Sequence, residues 1–476
     1  MAELAAGGDL VRFTVGQCWF QFFIGGVFYS LSPLALPISN AFLASGGDPA
    51  FDGGIVFYGF AVLMVVQSLS TCIAIFRVEN GPLRQKQIFV TAGYLAWPVG
   101  LALMALSVQL KWRWLLLAGA FPFMGIAIGI QVGYMHLVMT ALMYGEHVNK
   151  GHAFSGGACA LGALSWNVVF GEVVNALGFD QVAVALWIFC ALHAFGVCVG
   201  AVLLNPTRYI PSAPDWAGQP EDETPTSSKR LSTGQLLRDW RVVLFVYVVE
   251  AFFFAGLAMK TLMSELFEKV LALGYIDAVR YSDCCLAAYA VARFVSPFLA
   301  LGDRVFTLFL VVLTFEGLAY GLTPWAVSLE SGIVPIYTFF RVVGGMGFAI
   351  LKSNTSVLLV RVFGTENVAQ ISGVFLATEC LVGLGPTLAF SLHMQQVEAG
   401  GRSERSYDVF FYVCAALVLT SSAGVLILRQ TMGQGRRSTG KASDMPADEQ
   451  HRQAGKLPEE GEDVESRTQV VAASAC

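Results

Sequence analysis

Residues 125–164 read GIAIGIQVGYMHLVMTALMYGEHVNKGHAFSGGACALGAL, two apolar runs joined by a short polar turn. Residues 363–386, in the other half of the chain, read FGTENVAQISGVFLATECLVGLGP. In both stretches an aromatic residue and a glycine end one apolar run, and a Ser-Gly pair opens the next. This weak internal repeat predicts a chain built from two related halves that each cross a membrane several times.

The composition is that of a membrane protein. Of the 476 residues, 55% are hydrophobic and only 13% are charged, and the mean hydropathy is +0.63. A soluble domain carries about 25% charged residues. Since the apolar residues arrive in long blocks, we predict an all-α membrane protein embedded in a lipid bilayer. The net charge of −5 disfavours nucleic acid as a partner, because nucleic acid binding requires a basic face.

Motifs for bound groups and for catalysis are missing from the sequence. No GxxxxGK[ST] motif occurs, so we expect no nucleotide. The ten cysteines are scattered rather than set at metal-ligand spacings, and no cluster of histidines or acids suggests an enzyme. We therefore expect no cofactor, no metal and no catalytic site.

Twelve apolar runs approach the ~20 residues that a transmembrane helix needs. An even number of crossings places both termini on one side. The loops on that side carry most of the basic residues outside the spans, so we expect both termini in the cytoplasm. Plasma membrane and organelle membrane are equally compatible with this pattern. The predicted spans are 11–36, 54–76, 88–110, 114–144, 154–177, 182–204, 242–263, 284–301, 305–325, 333–360, 368–392 and 409–428.

Polar segments divide the spans into two sets of six. Residues 205–241 open with prolines among Ser, Thr and acidic residues, a composition that buries too little apolar surface to fold alone. The predicted organisation is an N-terminal six-helix bundle at 1–204, a cytoplasmic linker at 205–241, a C-terminal six-helix bundle at 242–428 and a disordered cytoplasmic tail at 429–476.

Several motifs resemble the major facilitator superfamily, and within it the oxalate/formate antiporter and monocarboxylate transporter-like branch. Residues 25–42 read GGVFYSLSPLALPISNAF, similar to the opening helix of that family, and NGPLR at 80–84 is similar to its loop after the second span. The two stretches quoted above and LGDR at 301–304 also resemble this branch. The resemblance implies twelve transmembrane helices in two six-helix bundles, and secondary active transport by alternating access.

Charged residues interrupt the apolar spans of the second half and not those of the first. A charge in the hydrocarbon core costs at least ~2.5 kcal/mol, so such residues usually face a partner, a cavity or a substrate. This asymmetry predicts that the second half carries the chemistry of the protein. The residues concerned are Glu250, Arg293, Glu316, Arg341, Lys352 and Glu379.

Arg293 is the first candidate for substrate binding. It lies near the middle of the eighth span, and the resemblance implies that it binds the carboxylate of the substrate. A guanidinium stays charged when it is buried, and its planar fork matches a carboxylate. The alternative is a structural ion pair with Glu250 or Glu379.

Further bases lie on the seventh and tenth spans. Arg341 and Lys352 are eleven residues apart, close to three helical turns, and therefore share a face of the tenth span. Arg341 is predicted to be a second substrate cation. Lys352 either binds substrate, forms a pair or extends towards the cytoplasm. Lys260 is expected near the outer end of the seventh span, in contact with solvent.

The acids are predicted to be counter-ions. Glu250 and Glu379 are candidates for proton coupling, because a carboxyl poised between burial and a nearby arginine can take up and release a proton. Glu316 lies on a ninth span, which is peripheral in the resembling fold, and is expected to be a structural partner.

Two polar residues of the first half complete the predicted site. His136, in the fourth span, either donates to the substrate, carries a proton or is a hydrogen-bonded packing residue. Tyr29, in the first span, is a candidate for a hydrogen bond to the ligand.

The predicted function is secondary transport of small organic anions. The resemblance suggests a monocarboxylate such as pyruvate or lactate, or oxalate or formate, with coupling by proton symport or by exchange. The alternatives are a carrier of a neutral solute such as a sugar or an amino acid, and a non-transporting sensor with the same fold.

Overall fold

The computed structural model describes residues 2–28, 32–75, 82–144, 148–204, 233–261, 263–300, 303–329, 332–364, 371–372, 374–375, 378 and 407–443. Within these ranges all regular secondary structure is helical. Tyr29 and Glu379 lie outside the described residues, as does most of the predicted span 368–392.

The described residues of the first half form seven longer helices, α1 to α7, in the order of the predicted spans, and one helical turn at Pro49–Asp52. A π-helical turn at Gly200–Leu204 extends the last of them. In chain order they are α1 (2–28), α2 (Ser32–Leu43), α3 (Ile55–Ile73), α4 (Leu83–Leu110), α5 (113–144), α6 (Val148–Leu177) and α7 (Val182–Val199).

Two of these helices are irregular. α1 contains a π-helical turn at Gln21–Gly25, and α5 contains π-helical segments at Leu116–Ala120 and Gly129–Met139. Each π turn widens the helix locally, and such turns are frequent at functional sites. The predicted site residue His136 lies within the longest of them.

Seven helices with defined bounds, α8 to α14, lie in the described residues of the second half. The predicted linker 205–241 contains the first of them, and the last continues past residue 428 into the predicted tail. They are α8 (Thr233–Arg238), α9 (Trp240–Thr261), α10 (Met263–Leu271), α11 (Tyr275–Leu299), α12 (Arg304–Val327), α13 (Ile333–Phe363) and α14 (Asp408–Ser443).

Among the described residues, nine segments are long and apolar enough to cross a membrane. The first predicted span corresponds to α1 and α2. The eighth corresponds to α11, which has 25 residues but contains Asp277, Arg280, Asp283 and Arg293. The chain is therefore a multi-pass integral membrane protein. The nine segments are Ile55–Ile73, Leu83–Leu110, Arg113–His136, Lys150–Leu177, Phe179–Leu204, Trp240–Lys260, Arg304–Val327, Ile333–Phe363 and Asp408–Thr431.

The most extensive contact between described helices joins the two halves, because α6 packs along α11. Two glycines of α6 permit the close approach. A Cβ at Gly156 would lie 3.0 Å from Nε of Arg293, and a Cβ at Gly157 would lie 2.8 Å from Cδ2 of Phe294. Small residues at a helix interface let the backbones approach in this way. Both glycines follow Ser155 in the stretch 125–164 and lie within α6.

Polar contacts near the beginning of α11 also join the halves. Nδ2 of Asn167, on α6, donates hydrogen bonds to Oδ1 of Asp283 at 2.7 Å and to Oγ of Ser282 at 3.2 Å. The hydroxyl of Tyr275 donates to the carbonyl of Pro33 at 2.9 Å. These contacts give the polar residues of α11 partners inside the molecule.

We expect Gly26→Val to destabilise the first half. A Cβ at Gly26 of α1 would lie 2.6 Å from the backbone carbonyl carbon of Gly162 on α6, so either the two helices must separate or the side chain must clash. Overpacking of this kind costs about 1–3 kcal/mol. Thermal unfolding of the purified protein in detergent measures the effect.

The matched control is Gly8→Val on the same helix, where a Cβ would have nothing within 4 Å. It should unfold close to the wild-type temperature. Equal melting temperatures for the two variants would contradict the described packing of α1 on α6.

Candidate functional site

Arg293 lies at the contact between the two halves. It is only 1% exposed. Nη1 donates a hydrogen bond to the hydroxyl of Tyr289 at 3.0 Å, and Nη2 lies 3.3 Å from Nε2 of His136. His136 belongs to α5 and Tyr289 to α11, so the guanidinium joins the second half to the first. Both of these contacts are with uncharged groups.

The hydrogen bonds of His136 determine the tautomer and the orientation of its ring. A guanidinium can only donate, so Nε2 of His136 accepts from Arg293. Nδ1 must then carry the proton, which it donates to Oγ of Ser155 at 2.6 Å. Oγ of Ser155 in turn donates to the carbonyl of Gly151 at 3.0 Å. The imidazole is therefore neutral, and α6 holds it in the orientation that accepts from Arg293.

Lys260 is buried, which corrects the expectation that it contacts solvent. The side chain is 4% exposed, and Nζ lies 3.3 Å from the centroid of the Tyr289 ring. The physical reason is that α9 ends at Thr261 and α10 follows as a short amphipathic helix, so Lys260 does not reach the protein surface. Tyr289 therefore contacts two bases, Lys260 with its ring and Arg293 with its hydroxyl.

Lys352 lies in the same group. Its side chain is 9% exposed, and Nζ lies 4.9 Å from the ring centroid of Phe253 and 5.8 Å from that of Phe348. Arg293 and Lys352 are electrostatic neighbours of Lys260. The structure therefore brings together three residues that were predicted for the site, Arg293, Lys352 and His136. It adds Lys260 to this group.

Arg341 lies on α13 with different contacts. It is 2% exposed, and its Nη1 and Nη2 donate to the sulfur and to the backbone carbonyl of Met259, both at 2.7 Å. Met259 is near the end of α9, where helix carbonyls lack partners within the helix. Arg341 thus holds the end of α9.

A small cavity separates Arg341 from Lys260. It is lined by α9 to α13 and has room for about one water molecule. Lys260, Tyr289, Tyr320, Arg341 and Phe348 are among the lining residues. The cavity lies within the second half rather than between the halves. Tyr289 connects it to Arg293.

The buried acids are fewer than the buried bases. Glu250 accepts a hydrogen bond from Thr378, and Glu316 accepts one from Tyr320. In the described part of the second half, four buried bases accompany these two buried acids. Counting Glu379 as a third acid still leaves an excess of bases.

Tyr289 was not predicted from the sequence, and Lys260 was expected in contact with solvent rather than in the site. The signal for Tyr289 is its position four residues before Arg293, because residues at this spacing lie side by side on a helix. The contact with Lys260 joins two helices, and no spacing in the sequence indicates it.

Tyr289→Phe should lower stability, because it removes the hydroxyl that accepts from Arg293 and keeps the ring beneath Lys260. The expected loss is about 1.5–3 kcal/mol, the usual contribution of a hydrogen bond to a charged group. Thermal unfolding in detergent is the measurement. The control is Tyr94→Phe, since the buried hydroxyl of Tyr94 has no partner in the described part of the chain. A larger loss for the control would refute the assignment.

No protein-family model and no curated protein matches the sequence. Solved structures of transport proteins do match in fold. The human organic anion transporter MFSD10 superposes with a TM-score of 0.59 at 15% identity, covering 87% of this chain and 99% of that one. A bacterial homologue of the iron transporter ferroportin in an outward-facing state superposes with a TM-score of 0.63 at 11% identity, covering 89% of this chain and 99% of that one.

A D-xylose-proton symporter gives a TM-score of 0.68 at 10% identity, covering 87% of this chain and 97% of that one. The named structures are all of transport proteins. At these identities the likeness concerns the fold. The chain has the major facilitator fold, an all-helical membrane architecture, as predicted from its sequence.

Proposed function

We propose that this protein is a secondary active carrier of small organic anions. Its fold is one that secondary carriers use, with binding sites near the middle of the membrane between two repeats. The observation that carries the proposal is the excess of buried bases beside the contact between the halves. Burying four bases is costly, and an anionic substrate would balance their charge.

Arg293 is proposed to bind the carboxylate of the substrate. Its Nη atoms now meet the Tyr289 hydroxyl and His136 Nε2, which are neutral acceptors. A carboxylate is a stronger acceptor for a guanidinium and takes two donors at once. An anion would therefore replace His136 as the partner of Arg293, which loosens a contact between the halves. Binding and the first movement of alternating access are then linked.

The remaining predicted site residues supplement Arg293 in this proposal. Lys352 and Arg341 add positive charge from α13, and His136 orients the guanidinium before substrate arrives. Tyr29 would follow directly on α1, whose described part ends at Phe28. Glu250 and Glu379 are the predicted proton-coupling groups, with proton symport and exchange as the two coupling modes.

The substrate class rests on these side chains rather than on the fold. The matched structures include an organic anion transporter, a homologue of an iron transporter and a sugar symporter. Monocarboxylates such as pyruvate and lactate, and the anions oxalate and formate, are the proposed substrates. They follow from the resemblance to the oxalate/formate antiporter and monocarboxylate transporter-like branch.

The proposed topology places both termini in the cytoplasm, with bundles at 1–204 and 242–428, a linker at 205–241 and a tail at 429–476. An epitope tag after Cys476 should bind antibody once digitonin has opened the plasma membrane, and not in intact cells. Labelling of intact cells, or labelling only after full detergent extraction, would contradict this orientation.

Arg293→Leu should abolish anion uptake into proteoliposomes. The loss should be at least about tenfold, because hydrogen bonds to a charged group contribute about 1.5–3 kcal/mol and 1.4 kcal/mol is a factor of ten. Arg280→Leu is the matched control. It removes an exposed arginine from the same helix, α11, and should leave uptake near the wild-type rate.

The assay uses labelled pyruvate, lactate, oxalate and formate, with a sugar and an amino acid as neutral solutes, each with and without a pH gradient. Uptake of a neutral solute that survives Arg293→Leu would establish the alternative, a neutral-solute carrier. Absence of flux for the whole panel would favour a non-transporting sensor.

A further inference from the structure

Glu316 is a deeply buried carboxyl that sequence analysis treated as a structural partner. It lies on α12 and is 0% exposed. Oε1 accepts a hydrogen bond from the hydroxyl of Tyr320, one turn further along the helix, at 2.9 Å. Oε2 has no hydrogen-bond partner in the described part of the chain. A Cβ at Gly347 of α13 would lie 3.0 Å from Oε2, so α13 packs directly against this carboxyl.

The charged and titratable groups around Glu316 are few. Tyr320 lies on its own helix, Cys414 faces it from α14, and Arg341 on α13 is an electrostatic neighbour of both Tyr320 and Cys414. No base lies within ion-pair distance of Glu316 among the described residues. A carboxylate in this position receives one hydrogen bond, from Tyr320, and little else among the described residues compensates its burial.

Tyr320 connects this carboxyl to the cavity. Its hydroxyl donates to Glu316, and its side chain lines the cavity together with Lys260 and Arg341. An anion bound beside Lys260 and Arg341 would therefore lie on the other side of Tyr320 from Glu316. Two buried negative charges on either side of one tyrosine would repel each other.

We propose, on the basis of the proposed function, that Glu316 is the residue that takes up a proton when an anion binds beside Arg341. In the empty site the Glu316 carboxylate accepts the hydrogen bond from Tyr320. When an anion occupies the other side of Tyr320, repulsion between the two buried negative charges favours the neutral form of Glu316, and the carboxylate combines with a proton from the surrounding water to become a carboxylic acid. The proton leaves again after the anion leaves. Each anion is then carried with one proton, and neither step adds net charge to the buried site.

The proposal has a definite pH dependence. Low pH favours protonated Glu316 and therefore favours anion binding, since the coupling between two ligands is reciprocal. Anion affinity should fall as pH rises, by up to about tenfold per pH unit where one proton is taken up per anion. With a neutral residue at this position the affinity should lose this dependence.

Glu316→Gln tests the proposal in proteoliposomes, with the carboxylate that the wild type transports best. The variant should exchange internal for external anion at a rate near that of the wild type. It should fail to accumulate anion when a pH gradient is imposed. In detergent, a pH indicator should report proton uptake on anion addition for the wild type and none for the variant.

Two further variants keep the test decisive. Glu316→Asp preserves a titratable group and should preserve coupled accumulation, even where glutamine disturbs folding. Glu172→Gln, at an exposed carboxyl of α6, controls for the loss of a negative charge and should behave as the wild type.

The assignment would be overturned if Glu316→Gln still accumulated anion when a pH gradient is imposed. It would also be overturned if Glu250→Gln alone lost this accumulation. A wild type that transports anions without proton uptake would also overturn it while leaving the proposed function intact. If the wild type carries no anion at all, both the Glu316 assignment and the proposed function are wrong.

Discussion

The guanidinium of Arg293 is the group around which the two halves are arranged. It stays charged at any physiological pH, so its burial requires acceptors at fixed positions. α11 supplies Tyr289, and α5 supplies His136 with its accepting nitrogen turned inwards by Ser155. α6 contributes Gly156, which leaves the space for the side chain. The most extensive helix contact of the described fold, between α6 and α11, therefore lies beside the buried charge of Arg293.

Aromatic rings contact the other bases of the group. The energies of these contacts can be compared with the cost of burying a charge. A desolvated cation over an aromatic face gains about 2 kcal/mol, whereas a charge in the hydrocarbon core costs at least ~2.5 kcal/mol. The rings of Tyr289 and Phe253 thus make the burial of Lys260 and Lys352 tolerable. The rings themselves supply no net negative charge.

The sequence predicted the helical membrane class and the order of the spans, because apolar blocks and their length determine both. It also singled out His136 and Arg293, each as an isolated polar group in an apolar run. It did not predict that they meet, since no periodicity relates helices so far apart in the chain. α11 begins at Tyr275 rather than at 284, because contacts such as Asn167 to Asp283 satisfy polar residues that hydropathy assigned to a loop.

The position of Arg293 also explains how a ligand would change the conformation. A ligand shifts an equilibrium only by the difference between its affinities for the two states. An anion bound far from the contact between the halves would have the same affinity in both conformational states. At Arg293 the anion and His136 compete for the same donors, so the state in which the halves are joined through His136 binds the anion less tightly. The competition for one guanidinium therefore converts binding energy into movement of the halves, without any additional contact to transmit it.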